Sequence, residues 1–140
     1  MTASRKGEPA QEMIDLARST MTRAYAPYSN FAVGAVLRGH NGKLYAGCNV
    51  ENAAYPESQC AEASAVSAMI LDGEHNIAEV LVMAGGRELV TPCGGCRQRL
   101  REFAEDDVPV HLCGTDGLKR TVTLAELLPF SFGPNHLERK

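Results

Sequence analysis

The apolar run Val80-Leu81-Val82-Met83-Ala84 is the stretch of sequence that decides the fold. A continuous apolar run of this length is typical of a central strand that is covered on both faces of a sheet. Helical patterns lie on either side of it along the chain, from Cys60 to Leu71 and from Pro92 to Ala104. The first pattern ends at Asp72-Gly73, where glycine favours a helix C-terminus. The run therefore predicts a sheet with helices packed against its faces.

The N-terminal part of the chain predicts one helix and one β-hairpin. Apolar residues recur at helical spacing from about Pro9 to Ala24, and residues 26–30 then break the pattern. Two stretches of alternating apolar residues follow, one ending at Leu37 and the other starting at Leu44. The dipeptide Asn41-Gly42 between them favours a tight turn, because both residues tolerate a positive φ.

The C-terminal part predicts two more strands and a short helix. One strand runs from Val108 to Cys113, and a turn follows at Thr115-Asp116-Gly117. The second strand runs from Leu118 to Val122 and the short helix from Leu124 to Leu128. This alternation of helices and strands predicts an α/β fold with a mixed sheet.

Length and composition exclude several classes of protein. The 140 residues suit a single domain over 1–140, with loose ends expected at 1–7 and 134–140. The 14 Lys and Arg stand against 17 Asp and Glu, so the formal charge is −3 and no basic excess exists to attract nucleic acid or an anionic membrane. No secretory signal or stretch of ~20 apolar residues is found, so we expect a cytoplasmic protein.

Five cysteines are the unusual feature of the composition. An odd number cannot pair completely within one chain, and clustered cysteines in a reducing compartment more often bind metal or perform chemistry. Two segments stand out, Cys60-Ala61-Glu62 and Pro92-Cys93-Gly94-Gly95-Cys96, and each begins a predicted helix. The free amides and the dipole of a helix N-terminus favour thiolates there. Zn²⁺ is the natural ion for converging thiolates.

The number of ligands suggests a catalytic zinc site. Cys60, Cys93 and Cys96 would supply three ligands, and catalytic zinc typically has three protein ligands and an open position for water. Zinc lowers the pKa of such a water to about 7, and Glu62 would lie close enough to accept and return its proton.

Three simpler interpretations remain open at this point. Cys93 and Cys96 alone would also fit a redox pair. Cys48 or Cys113 could complete a closed, structural four-cysteine site, although both are expected to be small buried apolar residues. Glu62 could be placed in a first helical turn only because the helix dipole favours a carboxylate there.

Taken together, these segments resemble the small, zinc-dependent members of the cytidine deaminase family. The resemblance extends over most of the chain and includes three further segments beside the two cysteine motifs. These are Ala26-Pro27-Tyr28-Ser29-Asn30-Phe31-Ala32-Val33-Gly34-Ala35, Asn49-Val50-Glu51-Asn52-Ala53-Ala54-Tyr55 and Leu128-Pro129-Phe130-Ser131-Phe132-Gly133-Pro134.

The resemblance implies a three-layer α/β/α fold with a mixed sheet of about five strands and a homotetrameric assembly. It also implies one Zn²⁺ per chain on Cys60, Cys93 and Cys96, with Glu62 as the proton shuttle. The implied reaction is hydrolytic deamination of cytidine and deoxycytidine to uridine and deoxyuridine with release of ammonia, a step of pyrimidine salvage. The small nucleoside substrate is compatible with the acidic charge, whereas no nucleic-acid or membrane partner is expected.

Substrate-binding roles also follow from the resemblance. Asn49 and Glu51 would bind the ribose, mainly on its 3′ side, and the backbone amide of Ala61 would bind the pyrimidine carbonyl. Phe31 would pack against the base. Neighbouring subunits would complete each pocket, with Tyr55 and Phe132 as the candidates.

One position departs from the pattern of many relatives. Ala63 follows the catalytic glutamate where those relatives have arginine. Three thiolates on Zn²⁺ form a negative cluster, and a guanidinium that donates to their sulfurs would temper it. Arg97 is expected to supply part of that compensation. Arg99 and Arg101 are expected on exposed faces of the same helix, with the possibility left open that one of them reaches back.

The sequence also leaves two alternative functions open, and it gives the four histidines no role in metal binding. A related zinc deaminase could act on a nucleoside-like antibiotic or another heterocycle, and a non-catalytic zinc module would use the metal for structure alone. The four histidines show no metal-ligand spacing, and His111 is expected to point outward from its strand.

Overall fold

The computed structural model describes residues 7–137 and contains one five-stranded sheet. The strands are β1 (Val33–Gly39), β2 (Leu44–Cys48), β3 (Ile77–Ala84), β4 (Pro109–Gly114) and β5 (Gly117–Thr123). Their order across the sheet is β2-β1-β3-β4-β5. The apolar run that predicted a central strand is therefore the middle strand, β3.

The sheet is mixed, as the alternation of elements predicted. Strand β1 pairs antiparallel with both β2 and β3, while β3 and β4 are parallel. Strand β5 pairs antiparallel with β4 and lies at the edge. Gly42 has a φ of +83° in the β1–β2 turn, a conformation that glycine adopts without steric cost. The parallel pair requires a crossover, and the helix of that crossover carries the second cysteine motif.

Helices cover both faces of the sheet. The α-helices are α1 (Gln11–Met21), α2 (Ala61–Leu71), α3 (Gly94–Arg101) and α4 (Leu124–Leu127), with 3-10 helices at Tyr55–Glu57 and Pro134–Leu137. Buried side chains of α2 and α3 form one core cluster with the sheet, and α1 forms a second cluster on the opposite face. The predicted α/β fold with three layers is confirmed. The predicted elements all exist, and α1 and α3 are two or three residues shorter at each end than their patterns suggested.

Gly47 allows α2 to lie very close to the sheet. A Cβ added at this β2 residue would be 2.4 Å from the backbone nitrogen of Ala65 and 2.5 Å from the carbonyl oxygen of Ala61. Both atoms belong to α2, so any larger residue would push the helix away. This close approach places the N-terminus of α2, which carries the first cysteine motif, against the sheet.

His111 differs from the prediction. It was expected to point outward from β4, but its side chain is only 1% exposed. Its Nε2 lies 2.8 Å from Oε2 of Glu79 on β3, and its Nδ1 lies 2.9 Å from Oγ1 of Thr121 on β5. The imidazole can be buried because polar groups on both neighbouring strands satisfy its two nitrogens. Arg38 on β1 extends this polar network, since its Nε donates to Oε1 of Glu79 at 2.9 Å.

The C-terminal segment also differs from the prediction. Residues 134–137 were expected to be loose, but they form a 3-10 helix, and Arg101 of α3 donates to Oδ1 of Asn135 at 3.0 Å. The predicted loose residues 1–6 and 138–140 lie outside the described part of the chain. Within residues 7–137, every helix is too short or too polar to cross a bilayer.

Candidate active site and metal centre

Three cysteine sulfurs meet where the N-termini of α2 and α3 face each other. Cys60 is the N-cap residue of α2, Cys93 is the N-cap residue of α3, and Cys96 lies in the first turn of α3. All three sulfurs lie within 4.8 Å of one another, and the Sγ atoms of Cys60 and Cys93 are 4.0 Å apart. Two helices from distant parts of the sequence thus supply one cluster of soft ligands.

The geometry of the cluster fits a tetrahedral zinc ion. Two thiolates bound to one Zn²⁺ at about 2.3 Å lie about 3.8 Å apart, close to the observed separation of Cys60 and Cys93. A third sulfur from the other helix also distinguishes this cluster from a simple redox pair of two cysteines. Three ligands leave one coordination position for water or substrate, as in catalytic zinc sites.

The thiols of the cluster differ in their acidity. The backbone N–H of Cys96 lowers the pKa of Cys93, as expected for a cysteine at a helix N-terminus. Burial raises the pKa of Cys60 and of Cys96, and the charge of Glu62 raises the pKa of both further. The helix N-terminus thus favours the thiolate of Cys93, whereas burial acts against the thiolates of Cys60 and Cys96. Zinc binding displaces the protons that the thiols carry.

Cys48 and Cys113 do not join the cluster. Cys113 lies on the opposite face of the sheet, in the core cluster that contains α1, and burial raises the pKa of its thiol to about 11. Cys48 is half-buried at the end of β2. Among the described residues, only Cys60, Cys93 and Cys96 form a group of potential metal ligands, which argues against a closed four-cysteine site.

Glu62 is buried beside the sulfur cluster with an exposure of 4%. Burial raises the pKa of its carboxyl, while its own backbone N–H, Cys96 and the positive charge of Arg99 act in the opposite direction. A carboxyl with a raised pKa at the edge of a metal site is suited to accept and release a proton. A solvent-exposed glutamate placed there only by the helix dipole would not be buried in this way.

A cavity of about 260 Å³ opens in front of the cluster. Its walls combine one carboxylate and one amide from the end of β2, an aromatic ring, and the first residues of α2. The lining includes most of the predicted site residues, namely Phe31, Asn49, Glu51, Cys60, Ala61, Glu62 and Cys93. The structure therefore places the predicted ribose-binding and base-binding residues around the same cavity as Glu62, the predicted proton shuttle.

Glu51 is held rigidly at the mouth of this cavity. Its Oε1 accepts hydrogen bonds from the backbone amides of Tyr28 at 2.9 Å and of Ser29 at 3.1 Å. Its Oε2 accepts a hydrogen bond from the hydroxyl of Ser29, and that bond lowers the pKa of the Glu51 carboxyl. Glu51 is therefore a fixed, ionised acceptor.

Asn49 connects the end of β2 to the start of β1. Its Oδ1 accepts from the backbone amide of Val33 at 2.8 Å, and its Nδ2 donates to the carbonyl oxygen of Phe31 at 2.8 Å. One N–H and one lone pair of Oδ1 remain for a ligand, so Asn49 can still offer the donor and the acceptor that the sequence suggested. Through these two bonds Asn49 also fixes the backbone that carries Phe31.

Ala61 is the first residue of α2 and is buried. The amide of a first helical residue has no partner within its own helix, so it can donate to a bound carbonyl. Its position on the cavity wall, next to Glu62, agrees with the predicted contact to the pyrimidine carbonyl.

Tyr55 and Phe132 lie outside this cavity. Tyr55 is 70% exposed and lines an adjoining cavity of about 320 Å³ that shares Ser29 and Glu51 with the first. Phe132 is 57% exposed and stacks on His136 with ring centroids 5.1 Å apart. Neither ring contacts the cluster within one chain.

The arginines of α3 are arranged differently from the prediction. Arg97 was expected to compensate the thiolates, but its guanidinium donates to the carbonyl oxygens of Pro92 and Leu127 and to the hydroxyl of Thr91. Arg97 therefore holds the loop before Cys93 in place through hydrogen bonds and does not contact a sulfur. Arg99 reaches back from the surface, and its Nη1 lies 3.7 Å from Sγ of Cys96.

Two contributions to the site have no clear signal in the sequence. Ser29 fixes Glu51 from 22 residues away, and Thr91 lines the cavity and accepts from Arg97. Both are ordinary loop residues whose partners only the fold reveals. The signal for Arg99 was its spacing of three residues from Cys96, which places both on one side of a helix.

Comparisons with known proteins agree with this geometry. A family model described as the cytidine and deoxycytidylate deaminase zinc-binding region matches residues 8–112. A cytidine deaminase from Sporosarcina psychrophila is 38% identical over 127 residues, which cover 91% of this chain and 93% of the relative. One from Mycobacterium tuberculosis is 37% identical over 117 residues, which cover 84% of both chains.

Solved structures show the same similarity. The crystal structure of a cytidine deaminase from Burkholderia pseudomallei superposes with a TM-score of 0.83 at 36% identity and covers 89% of this chain and 99% of its own. That of the cytidine deaminase from Mycobacterium tuberculosis gives a TM-score of 0.77 at 34% identity, over 88% and 96% of the two chains. With its cluster of three cysteines at the zinc-binding region, the chain belongs to the zinc-dependent cytidine and deoxycytidylate deaminase family.

Proposed function

We propose that this chain catalyses the hydrolytic deamination of cytidine and deoxycytidine to uridine and deoxyuridine, with release of ammonia. The observation that carries the proposal is the single cavity that buried Glu62 lines together with Asn49, Glu51 and two cysteines of the cluster. The relatives named cytidine deaminase support the same reaction. Pyrimidine salvage is the metabolic role consistent with it.

The cavity offers a separate contact for each part of a nucleoside. The remaining N–H of Asn49 and the carboxylate of Glu51 would bind ribose hydroxyls, because a fixed carboxylate accepts strong, charge-assisted hydrogen bonds. The amide of Ala61 would donate to the pyrimidine carbonyl, and Phe31 would pack against the base. These contacts would direct C4 of the base toward Glu62 and the sulfur cluster.

Cys60, Cys93 and Cys96 would hold one zinc ion, which supplies Lewis acidity and lowers the pKa of a water to about 7. Glu62 would accept a proton from the attacking water and deliver it to N3 of the base, which makes C4 more electrophilic. After the bond between C4 and the water oxygen has formed, Glu62 would move the second proton to the exocyclic amine. The C4–N bond then breaks and ammonia leaves.

The pocket of one chain is small and open, which favours completion by a neighbouring subunit. Its volume of about 260 Å³ is below the range of about 300–1,000 Å³ for typical ligand sites. Tyr55 and Phe132 present exposed rings, and aromatic rings are common in subunit interfaces. We therefore include a homotetramer in the proposal, with Tyr55 and Phe132 closing the pockets of neighbouring subunits.

A cytoplasmic location is part of the proposal, because clustered cysteines in a reducing compartment more often bind metal than form disulfides. A single domain over residues 1–140 is part of the same proposal. Light scattering of the purified protein tests the assembly, and a dimer or monomer at working concentration would contradict it.

The activity is tested by comparing the wild type with Glu62→Gln and with Glu105→Gln, an exposed glutamate outside the pocket. Zinc content is measured per chain, and turnover is measured as the ultraviolet change on loss of cytidine or deoxycytidine. We expect one zinc per chain in all three proteins and turnover in the wild type and Glu105→Gln only.

Each other outcome contradicts a specific part of the proposal. Comparable turnover in Glu62→Gln would exclude the role of Glu62 as proton shuttle. A zinc-loaded wild type without activity on either nucleoside would favour a deaminase for another heterocycle, or a zinc module without catalysis.

A further inference from the structure

The side chain of Arg99 contacts one sulfur of the three-cysteine cluster. It lies one turn after Cys96 on α3, and its Nη1 is 3.7 Å from Sγ of Cys96. The other arginines of this helix have different partners. Arg97 donates to three oxygens, and Arg101 donates to Ser131 and Asn135 in the C-terminal segment. Of these three arginines, Arg99 alone contacts a sulfur of the cluster.

The guanidinium of Arg99 lies beside space that a small residue on α2 leaves free. A cavity of about 440 Å³ is lined by Cys60, Ala63 and Arg99, among other residues. The methyl group of Ala63 fills little of it. The side chain of Arg99 thus extends from α3 into space that a long side chain at position 63 of α2 would fill.

The contact between Arg99 and Cys96 has an electrostatic role. Three thiolates and one Zn²⁺ have a net charge of −1, and the ionised form of buried Glu62 adds a second negative charge. Concentrating negative charge in a partly buried site is costly unless a cation or hydrogen-bond donors offset it. A guanidinium beside Cys96 supplies both a positive charge and N–H donors, and such groups around metal ligands control how firmly the metal is held.

We infer that Arg99 is a positioning residue of the metal centre: it fixes the thiolate of Cys96 and offsets part of the negative charge of the cluster, using the space left by Ala63. It acts through the ligand and not on the substrate. The inference rests on the proposed three-cysteine zinc site and deepens it, because it assigns the compensating charge to α3.

The test compares zinc-loaded wild type with Arg99→Leu, with the double variant Ala63→Arg/Arg99→Leu, and with Arg120→Leu, an exposed arginine on β5. The readouts are the rate at which zinc passes to excess chelator at neutral pH and the sulfur-to-metal charge-transfer absorption of the cobalt-substituted proteins. We expect Arg99→Leu to release zinc about 10-fold faster or more, with a shifted charge-transfer band. Arg120→Leu should match the wild type, and the double variant should return close to it.

Other results would overturn the inference. Arg99→Leu could release zinc at the wild-type rate with an unchanged cobalt spectrum, which would exclude a role at the metal. If the double variant stays as fast as Arg99→Leu, positions 63 and 99 are not interchangeable sources of the charge. Arg99→Gln is a second variant in case Arg99→Leu is unstable. It keeps a polar side chain but removes the positive charge, so it should also release zinc faster than the wild type.

The readouts separate this inference from the proposed function. A wild type that binds zinc but does not convert cytidine would contradict the activity and leave the comparison of release rates valid. A wild type that binds no zinc would overturn the inference together with the three-cysteine site.

Discussion

The Sγ atom of Cys60 lies 4.0 Å from the Sγ atom of Cys93, although 33 residues separate them in the chain. Both residues are N-caps of helices on the same face of the sheet. The distance is close to that of two thiolates on one tetrahedral zinc ion. The fold therefore brings the two cysteine motifs together in a geometry that suits the metal.

The first prediction separates the ligands from the other cysteines. Cys93→Ser should weaken zinc binding by more than about 100-fold, because even changes to groups behind the ligands cost ~10–100-fold. Cys48→Ala and Cys113→Ala should keep one zinc per chain, since neither sulfur joins the cluster. Metal analysis after dialysis against a chelator measures both effects. Loss of zinc in either alanine variant would indicate a fourth cysteine ligand.

The second prediction concerns the ribose contact of Glu51. Glu51→Gln can still accept from the amides of Tyr28 and Ser29, but it loses the negative charge offered to the substrate. The KM for cytidine should rise about 10-fold or more, as expected for a hydrogen bond to a charged group, with a smaller change in kcat. Steady-state kinetics with Glu57→Gln as the control provide the measurement. Equal KM values would contradict substrate binding by Glu51.

The third prediction concerns the close contact at Gly47. Gly47→Ala places a Cβ against backbone atoms of α2, so the helix must shift together with Cys60 and Glu62. The free energy of unfolding should fall by about 1–3 kcal/mol, and kcat should fall as well. Gly85→Ala is the control, because its added Cβ would be 3.9 Å from Cε of Met21, an ordinary contact distance. Denaturant unfolding and initial rates test both effects, and a fully active, equally stable Gly47→Ala would disprove the tight contact.

The fourth prediction is a pH dependence of stability at Glu79. The hydrogen bond from His111 lowers the pKa of Glu79 in the folded state below its ordinary value. The resulting stabilisation is complete above the unfolded-state pKa of about 4.3 and is lost as the pH falls through the lower folded-state pKa. Glu79→Gln should therefore be less stable than the wild type by about 1–3 kcal/mol at neutral pH, and the difference should shrink toward pH ~3.

Urea unfolding of both proteins at the two pH values measures this difference. Any zinc lost in acid affects the two proteins alike, so the comparison between them remains valid. A difference that stays constant with pH would show that the carboxylate charge of Glu79 contributes nothing to the effect.

Much of the fold could be predicted because its strongest sequence signals are local. The apolar run at 80–84 and the Asn41-Gly42 turn each identify an element from neighbouring residues alone, and both elements are present. His111 was placed wrongly because its burial depends on Glu79 and Thr121, which lie on other strands. Alternation along one strand does not reveal whether the neighbouring strands carry polar partners.

The candidate site, like the fold, could be predicted where its signals are local in the sequence. The cysteine spacing and the adjacent glutamate predicted a metal centre, because two short motifs contain all the groups concerned. Arg97 was expected to supply part of the charge compensation, but adjacency to Cys96 in sequence turns its side chain toward the loop before α3, where it donates to Pro92 and Thr91. A residue three positions away from a ligand shares its side of the helix, and Arg99 has that spacing.

The meeting of the two helix N-termini also has a consequence for chain entropy. Zinc bound to Cys60 and Cys93 closes a loop of 33 residues that contains α2 and the central strand β3. A covalent cross-link over such a span restricts the unfolded chain by about 4 kcal/mol in the loop-closure model, and a metal that links the same positions acts in the same sense. A zinc ion at the reaction centre would therefore also stabilise the fold, because it would cross-link two segments that are far apart in the unfolded chain.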